Sequence, residues 1–186
     1  SMIDKRSNES SHLKSDLQYY KSFMEWGMDG ETNAFLEEVF LWLSENLPLS
    51  PNPKKLCWGD SRIGNVLFED FQVKSLLDWE MATIGDPLCD LAWGLTTDDV
   101  SSYGLNIEKL PGSIANEEAI KFWEKNTCYS AENFFYYRIL CLFKFSVIMI
   151  RVAKKLIHNE IMPLDSDFHV NNHVSNYLRQ EFNEKN

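Results

Sequence analysis

Asp60, Asn65 and Asp78 are the side chains whose types and spacing suit phosphoryl transfer. They lie in Leu56-Cys-Trp-Gly-Asp-Ser-Arg-Ile-Gly-Asn-Val-Leu-Phe68 and in Leu76-Leu-Asp-Trp-Glu80. A transferring phosphoryl group is already electrophilic, so its catalysis rests on positioning and on charge stabilisation by metal ions. Magnesium takes hard oxygen ligands and keeps several waters, which suits one carboxylate and one amide oxygen. Asp78 and Asn65 supply that pair, and Asp60 can accept or orient the proton of an attacking hydroxyl. A D-x-x-x-x-N spacing alone is common. Its specificity comes from the glycine-bearing loop, the ensuing Val66-Leu-Phe68 strand, and an apolar strand ending in Asp78, thirteen residues after Asn65. The plainer alternative makes Asp60 and Asp78 turn residues and Asn65 a strand-edge cap.

The elements that must position these groups follow from periodicity. Residues 1–12 read as a loose polar lead. Leu13, Leu17, Tyr20, Phe23, Met24 and Trp26 recur at helical spacing up to Gly27 and Gly30, and a second helix opens at the cap signal Thr32-Asn33. Pro48, Pro51 and Pro53 end it. Leu56-Cys57-Trp58 is a short apolar strand; Val66-Leu67-Phe68 and Val73 to Leu77 flank a turn and predict a hairpin with the motif at its mouth. Residues 82–87 read as a turn-rich loop, Leu88 to Leu95 as a short helix, and 96–114 as a long loop. Helices are predicted over Glu117 to Cys128, Asn133 to His158 and Phe168 to Phe182. The class is α+β, predominantly α-helical, with a single domain over 1–186.

Composition narrows the function. The 186 residues carry 18 Lys and Arg against 28 Asp and Glu, a formal charge of −10, which repels a nucleic-acid backbone over most of the surface. Four widely spaced cysteines, Cys57, Cys89, Cys128 and Cys141, form no C-x-x-C pair and read as buried free thiols of a reducing, cytoplasmic compartment. The polar N-terminus lacks the apolar run of a secretory signal. Arg138, Lys144 and Arg151 interrupt the most apolar segment, Phe134 to Ile150, which argues for a core helix over membrane insertion.

Trp58-Gly-Asp-Ser-Arg-Ile-Gly-Asn-Val-Leu-Phe68, Leu76-Leu-Asp-Trp-Glu-Met-Ala-Thr-Ile-Gly-Asp-Pro-Leu88 and Asp90-Leu-Ala-Trp93 resemble the aminoglycoside phosphotransferase (APH) family of kinase-like small-molecule kinases. More narrowly, they are similar to the branch related to kinase-like domains of certain acyl-CoA dehydrogenase fusion proteins. The likeness runs from about Leu13 to Tyr177. It implies the helical large lobe of a protein-kinase-like fold, with Asp60 as catalytic base, Asn65 and Asp78 as Mg2+ ligands, ATP as phosphoryl donor and a small-molecule hydroxyl as acceptor. Members usually carry His-Gly-Asp where this chain has Trp58-Gly59-Asp60; an indole there can brace the loop by packing. The family's ATP-binding lobe is expected to precede residue 1, so the fragment alone is expected to be weak or inactive. The alternative is a non-catalytic binding or scaffold module that keeps the lobe for docking.

Other polar residues have two readings each. Arg62 can reach the transferring phosphate or an acidic substrate, or pin the loop to a nearby carboxylate. Glu80 can meet the substrate or the metal's outer shell, or brace its loop. Asp86 and Asp90 are expected to support the site structurally, Asp86 by satisfying turn amides and Asp90 by meeting a helix N-terminus and holding the catalytic loop. Asp98 and Asp99 can attract a cationic acceptor from a pocket rim, or be solvated. His169 and His173, one helical turn apart, read as a metal pair or as a surface pair.

Overall fold

The computed structural model describes residues 11–184. The polar lead therefore lies mostly outside the described residues, and its last two positions open α1 (Ser11–Met28). The described chain divides into two compact units: residues 48–138 form one, and 11–47 with 139–184 the other.

The first unit holds every residue of the motif. Its strand β1 (Lys55–Cys57) pairs antiparallel with β4 (Thr83–Gly85), Leu56 opposite Ile84. The sequence reading placed β4 in a loop, because three residues are too few to show a period and their pairing is decided by a distant partner. Between them, β2 (Val66–Glu69) and β3 (Gln72–Leu76) form the expected hairpin. Its tip residues Asp70 and Phe71 both have positive φ (49° and 59°), the turn twist that matches twisted strands.

Helix α3 (Leu88–Ser102) runs seven residues beyond the predicted end at Leu95, so the first part of the expected long loop, 96–102, is helical. The polar run Thr96-Thr-Asp-Asp99 hid it. Thr96, Thr97, Asp99, Val100 and Ser102 are buried, so the helix packs a face that reads as hydrophilic. On that face the hydroxyls of Thr97 and Ser102 bond back to the helix carbonyls of Trp93 and Asp98, which lowers the cost of burying them. Helix α4 (Asn116–Thr127) follows, and the first turn of α5 (Phe134–His158) completes this unit.

The second unit packs α1, α2 (Ala34–Glu45), the rest of α5 and α6 (His173–Asn183). Leu17, Met24, Leu36, Val39, Leu43, Phe143, Val147, Ile150, Val174 and Leu178 are buried there, each side chain contributing about 1.5–3 kcal/mol of apolar burial. Asn33 caps α2 by accepting from Leu36 N–H, as its sequence predicts. Lys144 bonds Asp16 at 3.2 Å and lies over the Tyr20 ring, 4.7 Å from its centroid.

Three further readings are corrected. Helix α6 begins only at His173, because Asn172 and Ser175 form a reciprocal capping box there. His169 precedes the helix and contacts Glu31 at 3.1 Å, so it does not share a helical turn with His173. The cysteines are all free, but only Cys57 and Cys141 are buried; Cys128 is exposed at the left-handed cap that ends α4. Among the described residues, no helix is long and apolar enough to cross a membrane.

Candidate active site

The loop between β1 and β2 is fixed before any ligand arrives. Asp90, in the first turn of α3, turns its carboxylate onto the loop: Oδ2 accepts from Trp58 N–H at 2.7 Å and Oδ1 from Gly59 N–H at 2.8 Å. Charge-assisted bonds of this kind are roughly twice as strong as neutral ones. Ser61 Oγ donates to the Asp90 carbonyl at 2.6 Å, a third tie between loop and helix. Two glycines allow the approach. A Cβ on Gly59, which has φ +92°, would sit 2.3 Å from the Met81 carbonyl oxygen, and one on Gly94 would sit 2.8 Å from that of Ser61.

Asp60 is presented on this loop with its carboxylate oriented from three sides. Trp93 Nε1 donates to Oδ1 at 2.7 Å; Asn65 Nδ2 and Arg62 Nε donate to Oδ2 at 2.7 and 3.0 Å. The Asp60 side chain remains 14% exposed, enough to be reached by a small ligand. Arg62 is half exposed and its charge is spent on Asp60, the loop-pinning alternative of its two readings. Trp93 was not singled out from the sequence as a partner of Asp60. The signal was present: Asp90, Trp93 and Gly94 stand at i, i+3 and i+4, so one face of α3 meets the loop.

Asn65 is buried at the end of a 3-10 turn, Ile63–Asn65. Its Nδ2 donates to both the carbonyl and the carboxylate of Asp60, at 3.1 and 2.7 Å. That orientation leaves Oδ1 as the end of the amide able to meet a cation. Asp78 lies just past β3, exposed, with φ 58°. Aspartate tolerates this left-handed region better than most residues, and such positions concentrate at functional sites.

The backbone next to Asp78 is pinned on both sides. Leu77 N–H donates to the Asn65 carbonyl at 2.8 Å, and the Leu77 carbonyl accepts from Trp58 Nε1 at 2.8 Å. Trp58 therefore braces the second half of the motif through its indole N–H as well as by packing; its ring lies 6.0 Å from that of Trp79. Loop, hairpin and Asp78 are joined through Asn65 and Trp58. A donor set of one amide oxygen and one carboxylate fits magnesium, which needs few protein ligands. Among the described residues, no group of three or more His, Cys, Asp or Glu side chains could hold a metal.

The remaining candidates have structural surroundings. Asp86 is buried and accepts four hydrogen bonds, from Asn52 N–H, Asn52 Nδ2, Leu88 N–H and Tyr137 Oη. Burial pushes the Tyr137 phenol up, with Cys89 and Asp86 beside it adding to the effect, so it stays a donor to Asp86. Glu80 is exposed in the turn after Trp79. Asp99 is buried in an ion cluster: Oδ2 meets Arg138 Nη1 and Asn116 Nδ2, both at 2.7 Å, and Oδ1 meets Lys109 Nζ at 2.7 Å. Two cations already satisfy it, so it is not a rim charge awaiting a cationic acceptor. Asp98, half exposed, shares Lys109 at 2.8 Å.

Comparison with known proteins bears on family and fold. The model of the phosphotransferase enzyme family (APH) matches residues 6–123. Acyl-CoA dehydrogenase family member 11 of Homo sapiens is 42% identical over 59 residues, covering 31% of this chain and 8% of that protein. Acyl-CoA dehydrogenase family member 10 of Mus musculus is 38% identical over 60 residues, covering 31% of this chain and 6% of that protein. The match thus spans a small fraction of these relatives. The crystal structure of a candidate aminoglycoside phosphotransferase from Ralstonia eutropha JMP134 superposes with a TM-score of 0.72 at 15% identity, covering 97% of this chain and 56% of that one. At that identity the likeness is one of fold, a kinase-like and mostly helical one. The chain belongs to the phosphotransferase enzyme family, APH.

Proposed function

We propose that this chain is the catalytic and acceptor-binding lobe of an ATP- and magnesium-dependent phosphotransferase that acts on a hydroxyl of a small molecule. The observation that carries the reading is Asp60: a carboxylate oriented by Trp93, Asn65 and Arg62, on a loop clamped by Asp90, yet open to solvent. A base must be held within hydrogen-bond reach of the hydroxyl it serves, and three donors keep this one from turning away. Asn65 Oδ1 and the Asp78 carboxylate would hold magnesium, which when bound neutralises phosphate charge. Asn65 would then have a second task, because its amide nitrogen sets the direction of Asp60 and leaves its oxygen to a metal.

The hairpin leaves Leu67, Phe68, Val73 and Leu76 in solvent, a surface that supports a second, nucleotide-gripping lobe seated over it. In this reading the lobe alone orients the acceptor hydroxyl, and the positioning of ATP depends on its partner lobe. ATP turnover should therefore be assayed against a panel of small-molecule alcohols, on the protein that joins both lobes. The expected result is acceptor-dependent release of ADP, with nearly all of the rate removed by Asp78→Ala. Undiminished turnover in that variant would overturn the assignment of the site.

A further inference from the structure

The long helix α5 carries five Lys and Arg residues and no Asp or Glu, in a chain where acidic residues outnumber basic ones by 28 to 18. The first two are matched to carboxylates, Arg138 to Asp99 and Lys144 to Asp16. The last three, Arg151, Lys154 and Lys155, meet no carboxylate among the described residues. With His158 they stand at i, i+3, i+4 and i+7, which places all four on one face. Together with Val152 they line an open concavity of about 450 Å3, within the size range of small-ligand sites.

The side chains in this cleft are partly ordered. The Arg151 guanidinium lies over Trp26, its carbon 3.8 Å from the ring centroid. Stacking fixes the plane of the fork and leaves its N–H edges directed sideways, the arrangement that grips phosphate bidentately. Lys154 Nζ donates to the Met28 carbonyl at 3.0 Å, which holds that ammonium in place. A helix C-terminus favours cations, and this accounts for Lys155 and His158 in the last turn. It does not account for Arg151, a full turn before Lys155, nor for Lys154 placed between them, where like charges three and four residues apart repel. A bound anion would remove that repulsion.

We infer that the C-terminal face of α5 is a binding site for a phosphate-bearing anion, made by Arg151, Lys154, Lys155 and His158 and separate from the motif that holds Asp60. The chemistry is common to a soluble phosphate ester and to a lipid headgroup, and two probes separate them. Inorganic pyrophosphate is titrated into the full chain by calorimetry, in buffer containing a chelator. Flotation is then measured with phosphatidylcholine vesicles containing a phosphoinositide. Arg151 and Lys155 are both exposed, so the double variant Arg151→Gln/Lys155→Gln should keep the thermal midpoint and circular dichroism of the parent. It should bind pyrophosphate at least about tenfold more weakly, since charge-assisted contacts are lost. Weakened pyrophosphate binding in the variant assigns a soluble ligand. Loss of flotation alone, with no pyrophosphate binding by the parent, assigns a headgroup. Equal binding of both probes by parent and variant, or no binding of either by the parent, overturns the site.

Discussion

Asp60 and Asp99 are both aspartates held within the same unit by three partners, and their surroundings make them opposites. Around Asp60 the donors are an indole, an amide and one half-exposed guanidinium, and the carboxylate keeps an open side. Around Asp99 two cations and an amide close over a group that is only 1% exposed. Two neutral donors and one solvent-screened cation orient a carboxylate while leaving much of its charge available, whereas cations in a dry site consume it. The first arrangement suits a group that must meet a substrate, and the second ties α3 to its neighbours.

The sharpest way to break this contrast is to neutralise each aspartate and measure both rate and stability. Under the proposed function, Asp60→Asn in the two-lobe protein should lower kcat by about 10²–10⁴-fold, the usual worth of a positioned base, and cost about 1–3 kcal/mol of stability, because the new amide NH2 must face one of the three donors. A variant that kept its rate would place Asp60 with Asp99 among the structural carboxylates. Next in size, Asp99→Ala should cost up to about 3–5 kcal/mol in urea unfolding, because Arg138 and Lys109 lose the buried carboxylate they share, and Lys109 keeps only the half-exposed Asp98. Turnover per folded molecule should change little, and a large loss of kcat at unchanged stability would contradict the division of labour.

Smaller effects refine the comparison. Trp58→Phe keeps the ring but removes the indole N–H from the Leu77 carbonyl, a loss of about 1 kcal/mol in stability. Because Leu77 adjoins Asp78, magnesium dependence of the rate should shift to higher concentration; an unchanged dependence would show that the hydrogen bond does not hold Asp78. The smallest effect at neutral pH is the acid response of Asp99. Burial acts to raise its carboxyl, but the hydrogen bonds from Lys109 and Arg138 hold it below the ordinary value of 3.8. A carboxyl lowered by folding contributes stability above its unfolded value and loses it as pH falls through the folded one. Urea midpoints should therefore drop below about pH 4, and more shallowly in Asp99→Asn; parallel slopes in the two proteins would remove Asp99 from the acid transition.

Some of this was legible in residue order. The Asn33 cap, the hairpin and the two amphipathic N-terminal helices follow from local chemistry, and local chemistry is written in neighbouring residues. Strand β4 and the end of α3 were not, since a three-residue strand exists only through its partner and a buried polar helix face looks exposed until its hydroxyls find their carbonyls. The role of Trp58 was legible only as packing, because the acceptor of its indole lies nineteen residues away.

By itself the sequence determined which groups could do chemistry, an aspartate, an asparagine and a second aspartate at fixed intervals, together with the hairpin between them and most of the helices. Tertiary structure decided which carboxylates stay available. Asp60 stays open because α3 turns Trp93 and Asp90 toward its loop, and Asp99 is closed because Lys109 and Arg138 converge on it from distant points of the chain. Spacing along a backbone fixes which side chains share a face, but the charge and wetness around a carboxylate depend on what packs against that face.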